Sequence, residues 1–119
     1  MALILVVDDS LYARRVHGRI LESAGHEVVA CGSGAEALEA YATRRPDVVV
    51  LDLTMADMGG VEVLAKLRQL DPDATVIVVS ADVQRSSEEA VRAAGAHAFL
   101  GKPVASETLL EVIGGAVRP

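Results

Sequence analysis

The sequence predicts an α/β fold in which helices cover both faces of one parallel, doubly wound sheet. Short runs rich in Val, Ile and Leu alternate along the chain with segments of helical period, which is the pattern of repeated βαβ units. The middle runs are almost continuously apolar, as expected of strands that are covered on both faces. Right-handed crossovers between such strands place helices on both sides of the sheet.

Five apolar runs are the predicted strands. They are Leu3 to Val7, Glu27 to Cys31, Val48 to Leu51, Thr75 to Val79 and His97 to Leu100. A predicted helix follows each of them, so the chain is expected to contain five β/α pairs. No low-complexity stretch or internal repeat interrupts this alternation.

The first helix is predicted by an apolar stripe along one face. Ala13, Val16, Ile20 and Ala24 recur at spacings of three and four residues, which is the spacing of neighbours on a helix surface. Gly25 is predicted to end this helix, because glycine readily adopts the backbone conformation that terminates helices.

Capping signals place two further helices. The capping-box pairs, with the spacing S-x-x-E that starts a helix, are Ser33 with Glu36 and Ser86 with Glu89. Pro46 and Gly95 mark positions where these two helices have ended. The third helix is predicted from about Val61 to Leu70, and the last from about Ser106 to Val117.

Length and charge limit the possible functions. With 119 residues, of which 51% are hydrophobic, the chain is expected to form one compact domain over residues 1–119. Seventeen acidic residues against eleven basic ones give a net charge of −6. Because phosphate binding depends on clustered Lys and Arg, this composition argues against a direct nucleic-acid partner.

The chain also lacks the usual signals for export or membrane insertion. The single Cys31 cannot form an internal disulfide, and Met1 to Val7 has no basic start of a signal peptide. No apolar run approaches the roughly 20 residues that span a bilayer. We therefore expect a cytoplasmic protein without membrane insertion.

Three carboxylates follow predicted strands. Asp8 and Asp9 come directly after the first strand, and Asp52 follows the third. In an open parallel sheet, ligands bind outside the carboxyl ends of the strands, so these side chains are expected in one crevice. Carboxylates this close repel each other unless a cation lies among them. An all-oxygen set of ligands suits Mg²⁺.

Two further polar residues are expected at the same edge. Ser80 follows the fourth apolar run, and Lys102 follows the fifth. Three carboxylates, one lysine and one divalent cation sum to a charge near zero. A carboxylate in that setting can attack phosphorus and form an acyl phosphate, while Lys102 and Ser80 contact the transferred group. Any one aspartate alone is more simply a helix cap or turn former; the set on one edge favours the chemical role.

At this point the chain resembles a response-regulator receiver domain of the CheY type. The resemblance covers nearly all of the chain, and the matching segments are residues 6–10 (VVDDS), 34–38 (GAEAL), 46–52 (PDVVVLD), 79–81 (VSA), 95–96 (GA) and 99–103 (FLGKP). It implies a flavodoxin-like (βα)5 three-layer sandwich with the strand order 2-1-3-4-5.

The resemblance also implies a role for each site residue. Asp52 would be the phosphoacceptor, and Asp8 and Asp9 would hold Mg²⁺ (or Mn²⁺) together with Asp52 and the backbone carbonyl of Thr54. Ser80 and Lys102 would bind the phosphoryl group directly. Phe99 would be the aromatic residue whose ring swings inward when Ser80 moves. Taken without the resemblance, Phe99 is simply a core residue.

The implied function is a signalling switch in a two-component system, not an enzyme in the usual sense, although the domain would assist its own phosphorylation and dephosphorylation. The donor would be a histidine kinase or a histidine phosphotransfer protein. The signal would pass to a downstream protein effector through the face of helix 4, strand 5 and helix 5. The domain would be a monomer or a weak dimer that depends on phosphorylation.

The loop after Asp52 departs from the family pattern. Ala56 replaces the usual proline, and Gly59 replaces the acid or amide that usually precedes Gly60. Proline restrains the backbone and an acid or amide can cap a helix, so both changes predict a less rigid loop.

Three alternatives stay open. The end of the chain at Pro119 suggests a stand-alone regulator, as in chemotaxis or a phosphorelay, but the chain can also be a receiver piece of a larger regulator or hybrid kinase. A phosphatase with an aspartate nucleophile would use the same chemistry. A flavin-binding flavodoxin-like protein would share the layout, although only 3% of the residues are aromatic.

Overall fold

The computed structural model, which describes residues 2–55, 57–82 and 84–117, contains a parallel five-stranded sheet. Its strands are β1 (Leu3–Val7), β2 (Glu27–Cys31), β3 (Val48–Leu51), β4 (Val76–Ser80) and β5 (Ala98–Gly101). Their order is β2-β1-β3-β4-β5, and all neighbouring strands pair in parallel. The predicted doubly wound topology is confirmed.

A helix follows each strand and covers one face of the sheet. The helices are α1 (Leu11–Ser23), α2 (Gly34–Arg44), α3 (Gly60–Leu70), α4 (Arg85–Ala93) and α5 (Ser106–Ala116). Helices α2, α3 and α4 pack on one face, and α1 and α5 pack on the other. Within the described part of the chain, no helix has the length and hydropathy needed to cross a bilayer.

The core consists of two apolar layers, one on each side of the sheet. All four residues of β3 are buried, and they alternate between the layers: Val49 and Leu51 face α2 to α4, whereas Val48 and Val50 face α1 and α5. Each fully buried Val or Leu contributes roughly 1.5–3 kcal/mol of hydrophobic stabilisation. This two-sided packing explains why the strand is almost wholly apolar, and it fixes the position of the residue that follows it.

Two strands and one helix differ from the prediction in their bounds. β4 and β5 each begin and end one residue later than expected, so Ser80 and Gly101 belong to the sheet. The expected capping box in the fourth helix is wrong, because α4 begins at Arg85 and already includes Ser86. The N-cap residue is Gln84, which makes no side-chain cap hydrogen bond. The Asp82 carboxylate accepts hydrogen bonds from the Gln84 amide (3.2 Å) and from Ser87 Oγ (2.7 Å), so it joins the preceding loop to the first turn of α4.

The other predicted helix signals are confirmed. Ser33 caps α2 by accepting a hydrogen bond from the Glu36 amide, and its hydroxyl donates to the Glu36 carboxylate. Gly25 follows the end of α1 with a φ of +90°, and Gly95 follows the end of α4 with a φ of +98°. Both glycines adopt the left-handed conformation that ends a helix without a steric cost.

Candidate functional site

The polar residues predicted at the strand ends meet at one edge of the sheet. Asp8 and Asp9 follow β1, Asp52 follows β3, Ser80 ends β4 and Lys102 follows β5. The Asp52 amide donates a hydrogen bond to the Val7 carbonyl (2.9 Å), which ties the end of β3 to the end of β1. One carboxylate oxygen from each of the three aspartates lies within 4.8 Å of the others.

Asp8 is held at four points and is only 2% exposed. Its amide donates to the Cys31 carbonyl (3.1 Å), and its own carbonyl accepts from Arg14 Nη1 (2.6 Å). Its carboxylate accepts from the Ser10 amide at Oδ1 (2.9 Å) and from Lys102 Nζ at Oδ2 (2.6 Å). These contacts leave the side chain one orientation, facing Lys102.

Asp52 is buried beside this pair. It is 6% exposed, and its Oδ1 lies 3.7 Å from Lys102 Nζ. Burial raises the pKa of Asp52 above its ordinary value, and the negative charge of Asp8 raises it further; Lys102 and a hydrogen bond from the Thr54 amide act in the opposite direction. The folded chain therefore holds an acidic side chain in surroundings that disfavour its charge, which a bound cation would relieve.

Asp9 completes the acidic cluster from the solvent side. It is exposed, whereas Asp8 and Asp52 are buried. Two of the three carboxylates of the cluster therefore lie inside the protein and one lies at the surface, where an ion can enter. Oxygen ligands of this kind fit Mg²⁺ better than the softer transition metals.

Ser80 and Lys102 are joined through the backbone. The Lys102 amide donates to the Ser80 carbonyl (2.9 Å). The Ser80 side chain is fully buried, and its hydroxyl oxygen accepts a hydrogen bond from the Asp82 amide (3.1 Å). The hydroxyl thus links the crevice to Asp82, whose carboxylate accepts a hydrogen bond from Ser87 Oγ in the first turn of α4.

Phe99 lies on β5, where it pairs with Val78 of β4. Its side chain is partly buried and packs against the apolar layer that contains Val91 of α4. This position agrees with core packing, the role expected of Phe99 when the family resemblance is left aside. The swing of the ring remains a prediction.

The loop from β3 to α3 approaches the site closely. A Cβ atom on Gly60 would lie 2.5 Å from Leu53 Cα and 2.8 Å from the Asp52 carbonyl oxygen, so only glycine fits there. Gly59 occupies the N-cap of α3 and forms no side-chain cap, as expected. Ala56, the other departure from the family pattern, lies outside the described residues.

Sequence reasoning missed the two side chains that support this edge most directly. Arg14 holds the Asp8 carbonyl, and Asp57 binds the first turn of α2. Glycine at position 32 leaves room for Arg14, because a Cβ there would lie 2.7 Å from Arg14 Nη1. His17 is buried on α1, and burial together with the positive charge of Lys102 lowers its pKa.

Comparisons with known proteins agree with this geometry. The family model of the response regulator receiver domain matches residues 4–114. The chemotaxis protein CheY of Bacillus subtilis (strain 168) is 40% identical over 111 residues, which are 92% of this chain and 92% of that protein. The sensory/regulatory protein RpfC of Xanthomonas campestris pv. campestris (strain ATCC 33913) is 39% identical over 113 residues, which cover 92% of this chain but 16% of that protein.

Solved structures show the same fold. A CheY-like response regulator receiver domain protein from Methanospirillum hungatei JF-1 has a TM-score of 0.93 at 30% identity, covering 97% of this chain and 92% of that one. A chain of the CheX-CheY-BeF3-Mg+2 complex from Borrelia burgdorferi has a TM-score of 0.90 at 28% identity, covering 95% and 87%. The expected flavodoxin-like fold of the CheY type is confirmed.

Proposed function

Because the chain belongs to the response regulator receiver domain family, we propose that it is a two-component signalling switch that is activated when Asp52 accepts a phosphoryl group. One observation supports this assignment above the others. Asp8, Asp9, Asp52 and Lys102 come from three separate strand ends, yet their charged groups meet in one crevice. An accidental surface cluster would not bury two of its carboxylates.

Asp52 supplies the nucleophile in this proposal. One of its oxygens attacks the phosphorus of a phosphohistidine in a histidine kinase or a histidine phosphotransfer protein. The P–N bond breaks, its electron pair goes to the released ring nitrogen, which can then take up a proton, and an acyl phosphate remains on Asp52. Lys102, 3.7 Å from Asp52 Oδ1, stabilises the negative charge on the transferred oxygens.

The three aspartates would hold Mg²⁺ or Mn²⁺, with the Thr54 backbone carbonyl as a further ligand. Their closely spaced oxygens are the donor set that Mg²⁺ prefers. When bound, the cation neutralises charge on the phosphoryl oxygens. The similar chain from Borrelia burgdorferi belongs to a complex with BeF3 and Mg+2, which supports this choice of metal.

The switch would begin at Ser80. A phosphoryl group brings about −1.5 to −2 charge and three strong acceptors, so Ser80 gains by turning its hydroxyl toward it. That movement would release the Asp82 amide, which now donates to Ser80 Oγ, and would vacate space for Phe99. The signal would then reach a protein effector through the face formed by α4, β5 and α5.

The extent of the protein is a separate proposal. As a single receiver domain over residues 1–119, it would act by binding its effector as a monomer or a weak phosphorylation-dependent dimer. The match to 16% of RpfC supports a second possibility, a receiver segment of a larger sensory protein. The chemistry at Asp52 is the same in both cases.

Intact-mass analysis after incubation with Mg²⁺ and acetyl phosphate tests the proposal. We expect one phosphoryl adduct in the wild-type protein and none in Asp52→Asn. Asp73→Asn is the matched control, because Asp73 is exposed in a loop between α3 and β4 and should leave the adduct unchanged. An adduct that persists in Asp52→Asn would overturn the assignment. Steady hydrolysis of an external phosphoester would favour the phosphatase, and a yellow purified protein would favour the flavin binder.

A further inference from the structure

The loop after β3 is attached to α2 by a side chain far away in the sequence. Asp57 accepts two hydrogen bonds from the start of α2: Oδ1 from the Gly34 amide (3.0 Å) and Oδ2 from the Ala35 amide (3.1 Å). The next amide, that of Glu36, donates to Ser33. The first three amides of α2, which have no partner inside the helix, are therefore all bonded, and two of them bind Asp57.

The packing at this junction leaves little freedom. A Cβ on Gly34 would lie 2.8 Å from Val63 Cγ2 of α3 and 3.0 Å from Met58 Cβ of the loop. Glycine therefore lets the start of α2 lie directly on the residue that follows Asp57. The two hydrogen bonds of Asp57 and the contact at Gly34 fix the same point from two sides.

The charge of Asp57 also favours this contact. The two amides of α2 lower the pKa of Asp57, so the carboxylate is ionised at neutral pH. A negative charge at a helix N-terminus interacts favourably with the helix dipole. In the described part of this loop, residues 53–55 and 57–59, Asp57 is the residue whose side chain forms hydrogen bonds with another element.

We propose that Asp57 is a positioning residue for the metal site, which it does not touch. The same loop carries Thr54, whose amide bonds to the Asp52 carboxylate and whose carbonyl is the proposed metal ligand. Attachment to α2 holds this backbone in place before the cation arrives, so less order has to be gained on binding. This inference rests on the proposed function only in taking the crevice as a Mg²⁺ site.

Magnesium titration by calorimetry, with Asp57→Ala, Asp57→Asn and wild-type protein, tests the inference. We expect the Kd for Mg²⁺ to rise about 10-fold in Asp57→Ala, the lower end of the effect of losing a supporting residue around a metal site. Asp57→Asn keeps one acceptor oxygen, so its Kd should lie between those of the wild-type protein and Asp57→Ala. Asp73→Ala removes the same charge from a loop at the opposite edge and should leave the Kd within about two-fold. An Asp57→Ala Kd within two-fold of the wild-type value would overturn the inference.

A second readout separates positioning from a general loss of stability. In the metal-free protein, amide hydrogen exchange at Gly34 and Ala35 should accelerate in Asp57→Ala. The Mg²⁺ concentration that gives half-maximal phosphorylation should rise, while the rate at saturating Mg²⁺ should stay near the wild-type rate. A lower maximal rate with an unchanged Mg²⁺ requirement would contradict the positioning role. The calorimetric Kd and the hydrogen exchange are independent of the Asp52 adduct, so failure of the proposed function would be seen separately, as a wild-type protein that binds Mg²⁺ but forms no adduct.

Discussion

Lys102 donates a 2.6 Å hydrogen bond to Asp8, whereas its distance to Asp52 is 3.7 Å. In this state the lysine is the partner of a proposed metal ligand and only a neighbour of the proposed phosphoacceptor. A cation among the aspartates would neutralise the charge of Asp8. The ammonium group of Lys102 would then be free to contact a phosphoryl group. The pair thus suggests an order of events in which metal binding precedes the use of Lys102.

Lys102→Ala should raise the pKa of Asp52 further. The positive charge of Lys102 opposes the effects of burial and of Asp8 on this carboxyl, so its removal disfavours the ionised form. NMR titration of the Asp52 side-chain carbon in metal-free protein measures the change. Lys66→Ala is the control, because Lys66 pairs with Glu62 on the exposed side of α3. A pKa of Asp52 that is unchanged or lower in Lys102→Ala would contradict this electrostatic account.

Lys102→Ala should also separate phosphorylation from the conformational change. The adduct on Asp52 should still form at high acetyl phosphate and Mg²⁺, because the nucleophile is intact. Without the ammonium group, the phosphoryl group loses its link to β5, so amide shifts along α4, β5 and α5 should remain close to those of the unphosphorylated protein. Full activation of the phosphorylated variant, measured by the same amide spectra or by effector binding, would argue against this role.

Asp52→Asn should stabilise the metal-free protein at neutral pH. The folded-state pKa of Asp52 is raised, so the carboxyl group contributes most to the free energy of unfolding when it is protonated. This contribution is fully present below the ordinary pKa and is lost as the pH rises through the raised value. Removing the buried charge should add on the order of 1 kcal/mol at pH 7, or roughly 4 °C in Tm for a domain of this size.

The pH and Mg²⁺ dependence of the higher Tm of Asp52→Asn serve as the control. The difference in Tm should shrink as the pH falls, because protonation removes the buried charge of wild-type Asp52, and it should also shrink with added Mg²⁺, which relieves that charge. Thermal unfolding with and without chelator measures both. A gain that is independent of pH and of Mg²⁺ would show that the charge is not its source.

Gly60→Ala should distort the loop that follows Asp52. The added methyl group would meet backbone atoms of Leu53 and Asp52 at 2.5 and 2.8 Å, which cannot move without shifting the end of β3. We expect a loss of about 1–3 kcal/mol in unfolding free energy, as for overpacked sites in general, and slower phosphorylation. Gly59→Ala is the matched control, because no atom lies within 4 Å of its Cβ position. Equal stability of the two variants in urea unfolding would refute the close approach.

The doubly wound parallel sheet and the site edge were predictable because both depend on simple patterns, whereas the strand order came from the resemblance to the receiver family. Apolar runs that end in Asp8, Asp52 and Ser80 mark the carboxyl ends of parallel strands, and the topology brings those ends together. The bounds of β4 and β5 were less predictable, since the ends of a strand depend on pairing with its neighbours: Ser80 pairs with Gly101.

Two contacts near the site had no local signal. Asp57 caps a helix 22 and 23 residues earlier in the chain, so no cap pattern within a short window could indicate it. Lys102 was expected at the phosphoryl group, but which aspartate it contacts depends on side-chain directions that the spacing does not encode.

The most direct test of the central claim is to locate the phosphoryl group. Borohydride reduces an acyl phosphate on aspartate to homoserine, so the wild-type protein should be treated with Mg²⁺ and acetyl phosphate, reduced, digested and sequenced by mass spectrometry. We predict homoserine at position 52 that depends on Mg²⁺, with Asp8 and Asp9 unmodified. Homoserine at position 8 or 9, or none at position 52 in a protein that carries the phosphoryl adduct, would contradict the account.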